Sequence, residues 1–180
     1  MKTLSAYDMN KLGACYELSK IRQLFGGKEL NALEILALPI PALDKIWGAC
    51  RTQLISLETI RAFERWCVKH TIFEFDEWRL GVSDKVREAA KVCLSKNPIV
   101  QEINRARNSL TIVTSRFILD DVVFQALESI RYPFYDSENP SYAVAEAMVE
   151  VFDIYGVLPK STTGSLMCSK LRRLIRDKES

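Results

Sequence analysis

The sequence predicts an all-α protein, a compact single-domain bundle of roughly eight helices with no credible sheet. Apolar residues recur at spacings of three to four along most of the chain. Capping residues, prolines and glycines separate these periodic segments. The one stretch that alternates apolar and polar residues, 73–80, has no second strand to pair with. A chain of 180 residues fits one domain, so residues 1–180 are predicted to share one helical core.

Five helices are predicted in the first part of the chain. A residue before proline avoids the helical region, so the third helix must end before Pro39. The fifth helix begins after Ser56, whose hydroxyl suits an N-cap. The predicted helices are a short one after Ser5 or Asp8, then residues 15–25, 31–38, 42–52 and 56–71.

Residues 42–71 concentrate two of the three tryptophans, two cysteines and the single histidine, and they are predicted to form a core hairpin. In the first helix of this segment periodicity places Arg51 on the outer face. In the second helix Phe63 and Cys67 belong to the buried stripe, and Glu64 is placed on the outer face. Trp66 is most simply a core residue, but its position off the stripe leaves partial exposure open as an alternative. The outward-facing arginines beside it are Arg61 and Arg65.

The second part of the chain continues the helical pattern. Ser83 is predicted to cap one helix, and two Asn-Pro pairs have the order of N-cap followed by first helical residue. Residues 73–80 are predicted as an irregular connection, anchored to the core by Phe73, Phe75 and Trp78. The predicted helices are about residues 84–96, 99–119, 120–130, 141–155 and 164–177.

Cysteine usage indicates a reducing compartment. The five cysteines form no C-x-x-C pair, their number is odd, and each falls within a helical pattern. These features predict buried free thiols, and neither a disulfide framework nor a zinc site. The first residues lack the apolar run of a signal peptide, and no stretch approaches the ~20 apolar residues of a membrane span. The expected location is the cytoplasm of a bacterium or of an infected host cell.

Charge is distributed unevenly although the net charge is only +2. Residues 120–153 form an acidic region with eight acidic residues and one basic residue, and the end of the chain is basic. This asymmetry can steer a charged partner, or the two regions can pair with each other or simply be solvated.

No constellation of residues predicts catalysis, a metal site or a cofactor. His70 is the only histidine, and its spacing of three from Cys67 is the spacing of any two neighbours on a helix face. Glu146, Glu150 and Asp153 on one helix supply too few oxygens, and no wrapping loop, for a calcium site. The protein is therefore predicted not to be an enzyme.

Residues 40–71 resemble a segment of small helical proteins of bacteria and phages known as putative immunity proteins. In this chain the segment reads P-A-L-D-K-I-W, then a basic residue, then I-S-L-E-T-I-R-A-F-E-R-W-C. The resemblance implies stoichiometric binding, as an immunity or anti-defence protein would use. The positions it shares are Asp44, Trp47, Arg51, Arg61, Phe63 and Cys67.

The expected function is therefore inhibition of a bacterial protein by occlusion, the target being a toxin, a nuclease or a defence component. Carboxylates suit basic active sites and speed association. The predicted partner-binding residues are Asp120, Asp121, Glu146, Glu150, Asp153, Trp66, Arg61 and Arg65. The alternative is an accessory protein that binds nucleic acid through the basic C-terminal helix. Its predicted contacts are Lys170, Arg172, Arg173 and Arg176.

Overall fold

Ten α-helices make up most of the part of the chain that the computed structural model describes, residues 1–74, 82–111, 118–131 and 140–179. The all-α prediction is confirmed, and the described residues pair as β only at one isolated bridge, between Leu4 and Leu30. The helices are α1 Ala6–Lys11, α2 Leu18–Phe25, α3 Ala32–Ala37, α4 Ala42–Ala49, α5 Leu57–Lys69, α6 Asp84–Leu94, α7 Val100–Thr111, α8 Ile118–Arg131, α9 Pro140–Ile154 and α10 Lys160–Lys178.

Helix starts follow the predicted capping chemistry. The hydroxyl of Ser56 accepts a hydrogen bond from the backbone N–H of Thr59, and Ser83 caps α6 in the same way. Asn31 caps α3 through its side-chain oxygen. These polar side chains satisfy N–H groups that have no partner within the helix.

In the second part of the chain, two predicted boundaries are wrong. The predicted helix 99–119 covers parts of two helices. Thr111 ends α7, Leu119 lies in α8, and these two helices pack against each other. The last helix starts at Lys160, about one turn before the predicted start. The predicted connection at 73–80 begins inside a π-helical turn, His70–Glu74, whose Phe73 packs on the core. Phe75 and Trp78 lie outside the described residues.

Helix α5 lies at the centre of the bundle, in contact with α6, α8, α9 and α10. Phe63, Cys67 and Val68 on this helix are fully buried. Helices α4 and α5 were predicted to form a core hairpin, but they are joined chiefly through α9 and α10, which both of them contact. The core is thus built around α5 and the closely packed pair of α8 and α9.

All five cysteines are free thiols, and Cys15 differs from the prediction. It is exposed in the connection between α1 and α2, because α1 ends at Lys11 and the second helix starts only at Leu18. The other four cysteines are buried.

Helices α4 and α10 approach closely at Gly164, where an added Cβ would lie only 2.6 Å from the Cβ of Ala42. Alanine favours helix interiors over glycine by about 1 kcal/mol. We nevertheless expect Gly164→Ala to lower the free energy of unfolding by about 2 kcal/mol, because the methyl group forces the two helices apart. Urea denaturation of both single variants and the double variant measures this effect.

The control is Ala42→Gly, which removes the opposing methyl group. Combined with Gly164→Ala, it should restore much of the lost stability, giving a clear coupling energy in a double-mutant cycle. Strict additivity of the two changes would contradict the close approach.

In the described ranges no helix has the length and apolar character needed to cross a lipid bilayer.

Candidate functional site

The predicted partner-binding residues fall on two separate surfaces. Five carboxylates lie on α8, α9 or close to their ends, whereas Trp66, Arg61 and Arg65 lie on α5. We call the first group the acidic face, which consists of Asp120, Asp121, Glu146, Glu150 and Asp153. Asp136 and Glu138, which the acidic region also contains, lie outside the described residues.

Carboxylates of the acidic face approach one another across the pair of α8 and α9. The pKa of Asp121 is raised by partial burial and then by the negative charge of Glu150 on the neighbouring helix. Partial burial and the charge of Asp121 raise the pKa of Asp120. The carboxylates of these two neighbouring helices therefore repel one another here. At one end of the acidic face the negative charge of Asp153 is balanced by Lys160, whose Nζ atom lies 3.3 Å from the Oδ2 atom of Asp153.

Trp66 is half-buried between α5 and α10, with the partial exposure that its position off the apolar stripe left open. Its ring stacks on His70 with centroids 4.7 Å apart, and the Nζ atom of Lys170 lies 5.9 Å from its centroid. One of the predicted nucleic-acid contacts therefore packs beside a predicted protein contact.

The basic residues of α10 have different surroundings. The guanidinium of Arg172 donates a hydrogen bond to the backbone oxygen of Leu36 at 2.5 Å, so it is turned towards α3. Arg173 lies 3.8 Å from Asp177 on its own helix, Lys170 is near Trp66, and Arg176 is exposed. Arg172 is therefore engaged within the protein, whereas Arg173 and Arg176 lie on exposed positions of the helix.

Cys67 and His70 do not form a nucleophile and base. Cys67 is fully buried, and burial raises the pKa of its thiol well above the usual value, so the reactive thiolate is disfavoured. The Nδ1 atom of His70 instead lies 2.5 Å from Glu74, and this contact is the main reason that the pKa of Glu74 is lowered.

Residues that carry the resemblance to immunity proteins have structural roles in this chain. Asp44 accepts a hydrogen bond from the hydroxyl of Tyr16 at 2.5 Å, which raises the pKa of Tyr16 to about 12. Arg51 was placed on an outer face by periodicity, but only 5% of it is exposed. Its guanidinium lies 3.6 Å from the ring centroid of Trp47.

Glu64 is the residue that periodicity misplaced most. It was assigned to the outer face, but only 2% of it is exposed, because α8 and α9 cover that side of α5. Its Oε1 atom accepts hydrogen bonds from the hydroxyls of Ser129 at 2.8 Å and Ser141 at 2.6 Å. Burial raises its pKa in spite of these bonds.

Arg61 and Arg65 lie at a cavity of about 720 Å³ that α5 forms with the connection between α6 and α7, and Glu64 also lines this cavity. The predicted contacts on α5 therefore surround a concave site and do not form a flat docking surface. A second, mainly apolar cavity of about 550 Å³ lies by Cys15 and Trp47.

Within the described part of the chain, no three His, Cys, Asp or Glu side chains are arranged to hold a metal ion. No family model, curated protein or solved structure matches this chain.

Proposed function

We propose that this protein is a non-enzymatic inhibitor of the immunity or phage anti-defence type, acting in the cytoplasm. It binds a bacterial protein, such as a toxin, a nuclease or a defence component, and occludes that protein's working surface in a stoichiometric complex. The acidic face is the binding surface.

The close placement of Asp121 and Glu150 on adjacent helices supports this proposal most directly. A folded protein loses stability by holding like charges together, and a basic partner would relieve that repulsion. Helices α8 and α9 pack tightly, so the carboxylates are held in place before binding. A positioned carboxylate surface matches the cationic groups that nucleases use to hold phosphates, and complementary charge speeds association.

A nucleic-acid accessory role remains the alternative, because α10 carries the cations Arg173 and Arg176 on exposed positions. A gel-shift titration at two salt concentrations distinguishes the two functions, because phosphate contacts make binding fall steeply with salt. A protein inhibitor should produce no shift.

The test begins with capture of partners from a bacterial lysate and identification of the bound protein. The double substitution Glu146→Lys with Glu150→Lys should then lower the association rate for that protein by about tenfold or more, because attraction becomes repulsion. Stopped-flow or surface-based kinetics at low and high salt measure the rate.

The matched control is Glu17→Lys with Glu88→Lys, which makes the same change in net charge at exposed positions outside the acidic face. It should alter the association rate much less than the first pair does. Equal effects of the two double variants, or undiminished binding by the first, would rule out the acidic face as the binding surface.

A further inference from the structure

The cavity beside α5 has the dimensions and lining of a small-molecule site. Its volume of about 720 Å³ lies within the usual range for ligand pockets. Its walls combine apolar and charged side chains, and they come from α5, α6, α8, α10 and the connection that follows α6. The apolar wall residues are Leu57, Ala62, Cys93, Pro98, Ala126 and Ile130.

Glu64 gives this cavity a hydrogen-bonding group that the described residues do not use. Both serine hydroxyls bind its Oε1 atom, while its buried Oε2 atom has no hydrogen-bond partner among the described residues. A carboxyl oxygen buried without a partner is costly, so a ligand donor at this position would be strongly favoured.

Cations surround the cavity. Arg61, Arg65, Lys96 and Lys178 all line it, against the single exposed carboxylate of Glu58. Glu58 pairs with Lys178, which is the main reason that the pKa of Glu58 is lowered. The Nε atom of Arg61 is buried and has no hydrogen-bond partner in the described part of the chain. An excess of positive charge therefore remains for an anionic ligand.

We propose that this cavity binds a mononucleotide. An N–H group of the base donates to Oε2 of Glu64, which binds the base as a carboxylate, since the neighbouring Arg61 and Arg65 favour its charged form. The flat base lies against the apolar wall residues, and the phosphate binds Arg61, Arg65 and Lys96 at the mouth. Inorganic phosphate and a sugar phosphate both lack a flat apolar body for the walls. A nucleoside phosphate satisfies all three features. The site does not depend on the acidic face or on the inhibitor function.

The test is calorimetric titration of the full chain with the four ribonucleoside monophosphates, the corresponding nucleosides and inorganic phosphate. At least one monophosphate should bind saturably, and its nucleoside and phosphate alone should each bind at least about tenfold more weakly, since each lacks one group of contacts. If none of the monophosphates binds at millimolar concentration, the proposal is wrong.

Two variants locate the site. Glu64→Gln keeps an acceptor for both serines but replaces Oε2 with an N–H₂ donor, and it should lower nucleotide affinity by about tenfold. Lys96→Gln, at an exposed position where it does not threaten folding, should weaken binding of the nucleotide but not of its nucleoside.

Lys85→Gln is the matched control, since it removes an equal charge from an exposed position of α6 that does not line the cavity. It should leave affinity unchanged. Equal effects of Lys85→Gln and Lys96→Gln would overturn the assignment. An oligonucleotide that binds more tightly than every mononucleotide, with a steep salt dependence, would also overturn it, in favour of a nucleic-acid surface.

Discussion

Replacing Phe63 with alanine is expected to lower the free energy of unfolding by about 4 kcal/mol. Phe63 is fully buried on α5, and this helix contacts four other helices of the bundle. Removal of the ring takes away its transfer energy and leaves a cavity that the surrounding helices can close only in part. Urea denaturation at constant pH, with linear extrapolation to water, measures the change.

Tyr7→Ala is the matched control, because it also removes an aromatic ring but at a position that is 54% exposed. Its effect should stay within about 0.5 kcal/mol, as is usual for surface positions. A loss at Phe63 no larger than the loss at Tyr7 would show that α5 is not the centre of the core.

Local chemistry made much of the helical order predictable. Ser56, Ser83 and Asn31 cap helices because their side chains reach backbone N–H groups a few residues ahead, and that reach is a property of the local sequence. Gly26 and Gly156 follow helix ends with positive φ angles of 59° and 65°, which glycine adopts without strain. Such signals require no knowledge of the tertiary fold.

Burial of polar residues was not predictable in the same way. A periodic pattern distinguishes one apolar face from the rest of a helix, but it does not show how many neighbours the helix has. Glu64 and Arg51 were placed on outer faces, and both are buried, because helices distant in the sequence cover them. The serines that bind Glu64 are 65 and 77 residues away along the chain.

The acidic face and the cavity beside α5 also differ in how far the sequence could predict them. The acidic face was predictable in composition, since its carboxylates lie on two consecutive helices, all of them exposed except the half-buried Asp120. The interaction of Asp121 with Glu150 across α8 and α9 could be recognised only from the structure. The cavity beside α5 combines residues from positions 57 to 178, so no single segment carries its pattern.

Replacing Glu64 with alanine is expected to lower the free energy of unfolding by about 3 kcal/mol. The change leaves the hydroxyls of Ser129 and Ser141 buried without their acceptor, and each unsatisfied group costs about 1–3 kcal/mol. The lost methylene groups add a cavity cost. Weak destabilisation, comparable to that of a surface variant, would show that the serine contacts contribute little.

Glu64→Gln separates the hydrogen bonds from the ionisation of the carboxyl group. The amide oxygen of glutamine accepts from both serines, so this variant should be far more stable than Glu64→Ala. The variant also removes the pH dependence that the ionisation of Glu64 gives to the free energy of unfolding. Burial raises the pKa of Glu64 above its ordinary value of 4.5, so above that pH the unfolded chain releases a proton that the folded protein retains.

The stability contributed by the neutral carboxyl group is therefore complete below pH 4.5 and declines as the pH rises towards and through the folded-state pKa. Glutamine does not ionise, so the stability of Glu64→Gln relative to the unmodified protein should increase as the pH rises above 4.5 and level off once the pH has passed the folded-state pKa of Glu64. Urea denaturation of both proteins across this range measures the difference. A difference independent of pH would mean that Glu64 titrates alike in the folded and unfolded states, which its burial between α5, α8 and α9 does not allow.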